Sequence, residues 1–135
     1  MKISKELIIV GFILSGIINI GGVLLFSRFF TNQAIPLADP VVMSNFGMLM
    51  IVVWGLVFLS ISRKYEQLNW LVGVFVIEKF IYGFHWLNWI TNNDLSNLYD
   101  KDQMAGIFFA LYGINDWLFF VFFLFVFIKS FRNPI

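Results

Sequence analysis

Four apolar stretches, Leu7 to Phe26, Val41 to Ser62, Trp70 to Ile90 and Gly106 to Ile128, alternate along the chain with short polar segments. Each has the roughly 20 residues that a helix rising about 1.5 Å per residue needs to cross about 30 Å of hydrocarbon. The polar segments are Ser27 to Pro40, the basic turn Arg63 to Asn69 and the loop Thr91 to Ala105. The pattern predicts an all-α fold, a bundle of four transmembrane helices forming one integral membrane domain over residues 1–135. The first stretch is too long, and too free of a small-residue cleavage pattern before Arg28, for a cleaved signal peptide, so it is expected to stay as a helix. Pro36 and Pro40 turn the first outer loop, where Phe29 to Leu37 has the length of a short re-entrant or interfacial piece. Pro40 suits the first turn of the second helix, with Asp39 as its N-cap.

Charge then orients the bundle. Lys2, Lys5, Arg63, Lys64, Lys129 and Arg132 fall on one side if four helices alternate, while the opposite loops carry Arg28 and Lys101 among Asp39, Asp94, Asp100 and Asp102. By the positive-inside rule both N and C termini are expected in the cytoplasm, as in a bacterial inner (plasma) membrane, and the same bias argues against a dual-topology dimer. Trp70, Trp86 and Trp89 lie near the ends of the third stretch, where indoles act as interfacial anchors. The three loop aspartates Asp94, Asp100 and Asp102 read as a solvated surface, since their spacing does not match a calcium loop.

Composition narrows the class further. With 60% hydrophobic and only 13% charged residues and a mean hydropathy of +0.85, the chain has too little polar surface to solvate a globule, and the lipid bilayer is its expected solvent. No cysteine is present, which excludes disulfides, thiolate metal sites and paired-thiol redox chemistry. A net charge of +1 offers no surface for nucleic acid.

Against this apolar background the polar positions stand out. Counting rise from the cytoplasmic ends puts Glu78 and Lys79 about 12 to 14 Å deep, then Asn19, Tyr82, Asn115 and Asp116 at about 18 to 20 Å, and Asn45, His85 and Tyr112 at about 22 to 26 Å. At about 100° per residue, Glu78, Tyr82, His85 and Trp89 form one stripe. Phe109, Tyr112, Asp116, Phe120, Phe123 and Phe127 form another on the last helix, and the first helix offers Ser15, Asn19 and Gly22. A midspan Glu and Lys together cost about 5 to 7 kcal/mol, and some eleven strongly apolar neighbours return only about 3 to 7, so the stripe is expected to face partner helices or a wet cavity. Gly11 and Ser15, four apart, would permit close helix approach.

Each group also has a structural reading. Glu78, Lys79 and Asp116 could be a buried ionic cluster that only holds the bundle, yet such pairs add little net stability, and intramembrane acids more often mark proton or ligand pathways. Two carboxylates against one Lys leave an excess acid, so Glu78, Asp116 and His85 are the candidate proton-exchanging groups. His85 reads equally as a hydrogen-bonded core histidine. It is the single His, too few for a metal site, and haem held by two histidines would require a dimer. Asn19, Asn45 and Asn115 read as interhelical hydrogen-bond partners, and the 18 Phe as lipid contact and core filling.

Several segments carry a resemblance. The NIGGVLLF end of the first helix, the Pro-containing outer loop, SNFGMLMIVVWG opening the second helix, an RK turn and YGINDWLFF in the last resemble the small four-helix membrane proteins grouped as DoxX-like. The match is architectural and spans nearly the whole chain. It implies a four-helix membrane fold, and some members of that group are associated with respiratory or quinone-linked oxidation complexes; it carries no catalytic residue onto this chain. A looser resemblance links the pattern to four-helix sterol-binding and sterol-isomerising membrane proteins, with acids and aromatics in an intramembrane pocket.

The sequence therefore leads to an expectation of an intramembrane polar and aromatic pocket that handles a small lipophilic molecule, a quinone, lipid or sterol-like compound, without assigned catalysis. Its ligand-binding set would be Asn19, Asn45, Glu78, Lys79, Tyr82, His85, Trp89, Tyr112, Asn115 and Asp116. The chain could serve as an accessory subunit of a larger membrane complex or as a homo-oligomer. Two other classes compete: an oligomeric proton-coupled transporter, which needs access to Glu78 from both faces, and a purely structural partner, which needs a closed core with every polar group satisfied.

Overall fold

The computed structural model describes residues 2–132, all of whose regular structure is helical. Ser4 starts α1 (Lys5–Phe26) by accepting a hydrogen bond from the Leu7 amide on its Oγ at 3.2 Å. A short α2 (Ala34–Ala38) occupies the first outer loop, followed by α3 (Asn45–Ile61), a single 3₁₀ turn over Tyr65–Gln67, and α4 (Asn69–Asn92). Then come α5 (Leu95–Lys101) and α6 (Gln103–Arg132). The helices α1, α4 and α6 are long and apolar enough to cross a membrane, whereas α3, at 17 residues, is apolar but shorter.

That shortness is a departure from the expected stretch beginning at Val41. Ser44 is the true N-cap of α3, with its Oγ accepting from the Gly47 amide at 3.0 Å. Asp39 closes an earlier turn instead, accepting from the Val42 amide at 3.2 Å, and Pro40 lies outside the helix. The third loop keeps Asp94 and Asp100 exposed, as a solvated surface does, while Asp102 is half-buried. Asp94 caps α5 through the Asn97 amide, and Asp102 caps the start of α6 by accepting from the Ala105 amide at 2.9 Å.

Two seams hold the long helices together. Gly16 and Gly55 meet where α1 crosses α3, so closely that a Cβ on Gly16 would lie 2.7 Å from the Gly55 carbonyl oxygen. Between α4 and α6 the indoles are exchanged. Trp86 lies over Gly113 and donates to the Phe109 carbonyl at 2.6 Å, while Trp117 lies over Gly83 and donates to that residue's carbonyl at 3.1 Å. The Gly11 and Ser15 pair plays a different part from the expected helix crossing: Gly11 accepts the Phe122 ring of α6, and Ser15 turns its hydroxyl back to the Phe12 carbonyl at 2.7 Å.

The end bearing both termini also holds the α3–α4 turn, where Lys5 pairs with Glu66 and Lys129 donates to the Ile3 carbonyl at 2.8 Å. At this end Phe12, Phe58, Phe75 and Phe123 fill the core with rings 4.9 to 6.3 Å apart. Tyr65 closes it by stacking on Phe12, and burial, followed by the adjacent Glu66 carboxylate, pushes its hydroxyl up to about 12.

At the opposite, loop-bearing end, α1 finishes in a left-handed turn in which Arg28, Phe29 and Phe30 have φ of 48°, 56° and 65°. Such a conformation costs about 1 to 2 kcal/mol per residue. Local bonds hold it: the Phe30 amide donates to Ser27 Oγ at 2.9 Å, and Asn32 donates to the Phe26 carbonyl at 3.1 Å. Arg28 and Asn32 then both reach Asp102, at 3.1 and 2.9 Å, tying the end of α1 to the start of α6. The Asp102 carboxyl is held below the ordinary aspartate range, first by the Ala105 amide and then by Asn32 and Arg28, against the opposing effect of burial.

The surface inverts that of a water-soluble globule. Leu25, Ile81, Phe84, Leu118 and Val121 are mostly exposed along the helices, whereas Glu78, Lys79 and Asp116 retain 6%, 1% and 7% exposure.

Candidate functional site

Lys79 is the centre of the buried polar layer. Its Nζ donates to Asp116 Oδ1 at 2.9 Å and to Asn19 Oδ1 at 3.2 Å, and lies 5.1 Å from the centre of the Phe58 ring. Asn19 in turn donates through Nδ2 to the Ile51 carbonyl at 3.2 Å. One ammonium thus draws together α4, α6, α1 and, through Asn19 and Phe58, α3. The side-chain stem carries the charge across the bundle centre rather than toward an interface, which explains how Lys79 can be fully buried.

Glu78 is held differently. Its Oε2 sits 3.8 Å from Lys79 Nζ, near enough for charge attraction but too long for a hydrogen bond, and has no hydrogen-bond partner. Tyr112 Oη, also buried, has none either. Both residues face the same space: a cavity of about 320 Å³ lies on the loop side of the Lys79 cluster. Asn19, Glu78, Tyr82, Tyr112, Asn115 and Asp116 supply its polar wall. The rest is apolar, with Ile18, Gly22, Val23 and Phe26 from α1, Ile51 from α3, and Phe108, Leu111 and Ile114 from α6. A small set of convergent polar groups in a mainly apolar hollow is the usual composition of a small-molecule site.

Of the residues expected in the pocket, six line it and Lys79 stands directly behind, bonded to two of its wall residues. Three lie elsewhere. Asn45 is exposed in the first turn of α3. His85 bonds through Nε2 to Asp39 Oδ2 at 2.6 Å, and Trp89 donates to the Ala38 carbonyl at 3.0 Å while its ring lies 4.3 Å from that of Phe109. The outer loop folds down on α4 and takes these two side chains for itself, so the single stripe of α4 divides between a cavity at Glu78 and Tyr82 and a loop clamp at His85 and Trp89. Of the three tryptophans expected near the ends of this stretch, Trp89 is buried by the loop contact, Trp86 is half-buried over Gly113 and Trp70 is largely exposed.

The residues that sequence reasoning missed are apolar, Ile18, Val23, Phe26, Ile51, Phe108 and Leu111 among them. No signal distinguishes a cavity-facing Phe from a core Phe within a uniformly hydrophobic helix. Among the described residues no three His, Asp or Glu side chains gather to hold a metal ion.

Comparison of the chain with protein-family models, with curated proteins and with solved structures returns no match. The resemblance to DoxX-like proteins accordingly lends no residue role and no activity to this site.

Proposed function

We propose that the chain is a four-span integral membrane protein, with both termini cytoplasmic, that binds a small lipophilic molecule in the cavity beside the Lys79 cluster. The observation that carries this reading is the cavity itself: an apolar hollow of about 320 Å³ with six polar side chains converging on it and two buried polar atoms on its wall left without partners. A bundle whose ionic cluster served only as glue would close over it. The orientation rests on the gathering of Lys5, Lys129 and the Arg63–Lys64 turn at one end.

Against the transporter class stands the aromatic core at the terminal end. Phe12, Phe58, Phe75 and Phe123 are all fully buried directly beneath the charged layer, a seal that favours a pocket with one entrance over a path between two faces. The acids nevertheless give the pocket a means of exchanging a proton with what it binds, Glu78 through its free oxygen and Asp116 through Lys79.

Native mass spectrometry of protein released from its own membrane tests the reading. A discrete small-molecule adduct is expected on the wild-type chain and is expected to disappear in Asn115→Trp, which fills the cavity. Wild-type protein that emerges with no adduct, and that binds no lipophile supplied to it, contradicts it.

A further inference from the structure

The seam between α1 and α6 is closed at one level and parted at another. Near the terminal end Gly11 is packed against the Phe122 ring, and a Cβ added there would run into it. Three turns further along α1, a Cβ added to Gly22 would meet nothing within 4 Å, although Gly22 lines the cavity. The other interhelical glycines behave like Gly11: added Cβ atoms at Gly16, Gly55, Gly83 and Gly113 all collide with a neighbouring helix. Gly22 therefore marks a gap rather than a crossing. Its rim residues, Ile18, Leu111 and Ile114, are 42%, 51% and 56% exposed, and all are apolar. An aperture rimmed in this way is wetted by acyl chains, not by water. Toward the loops it is framed by the Phe26 and Phe108 rings, 6.1 Å apart, and by the Arg28–Asp102 bridge beyond them.

The polar wall restricts what the gap can admit. Asp116 Oδ1 and Asn19 Oδ1 are both engaged by Lys79, and Asn19 Nδ2 by the Ile51 carbonyl. The buried atoms left over on this wall are Glu78 Oε2 and Tyr112 Oη. A carboxylate oxygen needs a donor, and a phenol hydroxyl can both give and take. An ether, ester or ketone only accepts and would leave Glu78 unserved, while a second anion would add to two acids already facing one cation. A hydroxyl can serve either orphaned atom, donating to the carboxylate oxygen or both giving to and taking from the phenol.

We infer that the cavity is filled sideways from the bilayer, through the gap between α1 and α6 at Gly22, and that it selects an uncharged lipophile whose buried end carries a hydroxyl. This rests on the reading of the cavity as a ligand site and specifies its access route and ligand class.

The test uses two probes of matched shape, 4-dodecylphenol and its methyl ether 4-dodecylanisole, supplied at equal mole fraction to the full-length protein in lipid nanodiscs, with bound adduct counted by native mass spectrometry. Wild type is expected to retain the phenol at least about tenfold over the anisole, because a site that hydrogen-bonds a hydroxyl discriminates strongly against its absence. Gly22→Phe, which has open space for its side chain, should keep the wild-type helix content and thermal midpoint and lose phenol binding. Gly21→Phe, next in the chain, exposed and off the cavity wall, should bind as wild type does. Tyr112→Phe should shrink the preference for phenol over anisole. Equal binding of the two probes overturns hydroxyl selection, and phenol binding that survives Gly22→Phe overturns the side route; both results leave the cavity reading standing. Failure of both probes to bind wild type, together with an adduct-free protein from native membrane, overturns that underlying reading instead.

Discussion

The core at the terminal end, built on Phe12, Phe58, Phe75 and Phe123, and the core at the loop end, built around Trp89, Phe108, Phe109 and Tyr112, use the same kind of residue to opposite effect. In the first, rings from all four long helices interlock and close the space between them. In the second, the rings brace the outer loop and one wall of a hollow: Trp89 stacks on Phe109 and holds the Ala38 carbonyl, and Phe108 borders the cavity. The Lys79 cluster lies on the boundary. Its side toward Phe58 is a cation on an aromatic face, and its side toward Tyr112 is an acid with a free oxygen. The contrast teaches that the buried ion cluster in this fold is both a fastening and a floor, tight on the packed side and incompletely paired on the open one.

Removing the shared cation should damage this arrangement most. Lys79→Met leaves Glu78 and Asp116 buried without a counter-charge and is expected to cost about 3 to 5 kcal/mol in reversible unfolding with SDS in mixed micelles. The triple change Lys79→Met, Glu78→Gln, Asp116→Leu should recover most of that loss, because uncharged, well-packed side chains of similar volume can replace a buried ionic group at little cost.

Next come the two halves themselves. Phe123→Ala, in the sealed half, is expected to destabilise by about 3 to 5 kcal/mol, measured the same way. Phe108→Ala should cost less, since one side of that ring already borders empty space; equal losses would mean the hollow is packed as tightly as the rings. Tyr112→Phe should change stability by no more than about 0.5 kcal/mol, because the hydroxyl it removes has no partner to lose. Its effect is expected in ligand retention, which separates a binding group from a structural one.

The smallest effect concerns the Arg28–Asp102 bridge that frames the open half. With its carboxyl held below the usual range, Asp102 stabilises the fold fully above the ordinary aspartate pKa of about 3.9, and that contribution is lost as pH falls through the lower folded value. Thermal midpoints of wild type and Asp102→Asn should therefore run parallel from neutral pH to about pH 5 and converge below it. A constant offset down to the lowest pH would dissociate the bridge from that carboxylate.

Much of this contrast could be read from the chain. Hydrophobic length located the long helices, and the expense of Glu78, Lys79 and Asp116 in hydrocarbon required them to turn inward, as they do. Helical period placed Asn19, Tyr82 and Tyr112 on inward-facing stripes with Glu78 and Asp116, and depth alone put Asn115 at their level. The same period failed for His85 and Trp89, because what draws them away is Asp39 and the Ala38 carbonyl, more than forty positions distant along the chain and related to α4 by no repeat. Asn45 misled for a local reason: Ser44 caps α3 so late that Asn45 sits at its exposed mouth. The hollow itself was illegible. Whether Phe26, Phe108 and Val23 pack a core or line a cavity depends on how far α1 and α6 stand apart, and pattern records which face is apolar without recording the distance between faces.

The division between a sealed half and an open one is most directly tested by photolabelling in bilayers with a diazirine-bearing alkylphenol, followed by peptide mapping with and without excess 4-dodecylphenol. Labelling that the competitor displaces is expected on residues 18–26 of α1 and 108–116 of α6, with the segments around Phe58, Phe75 and Phe123 showing only the undisplaced background of lipid contact. Displaceable label centred on those phenylalanines, or no displaceable label on either helix, would contradict the account.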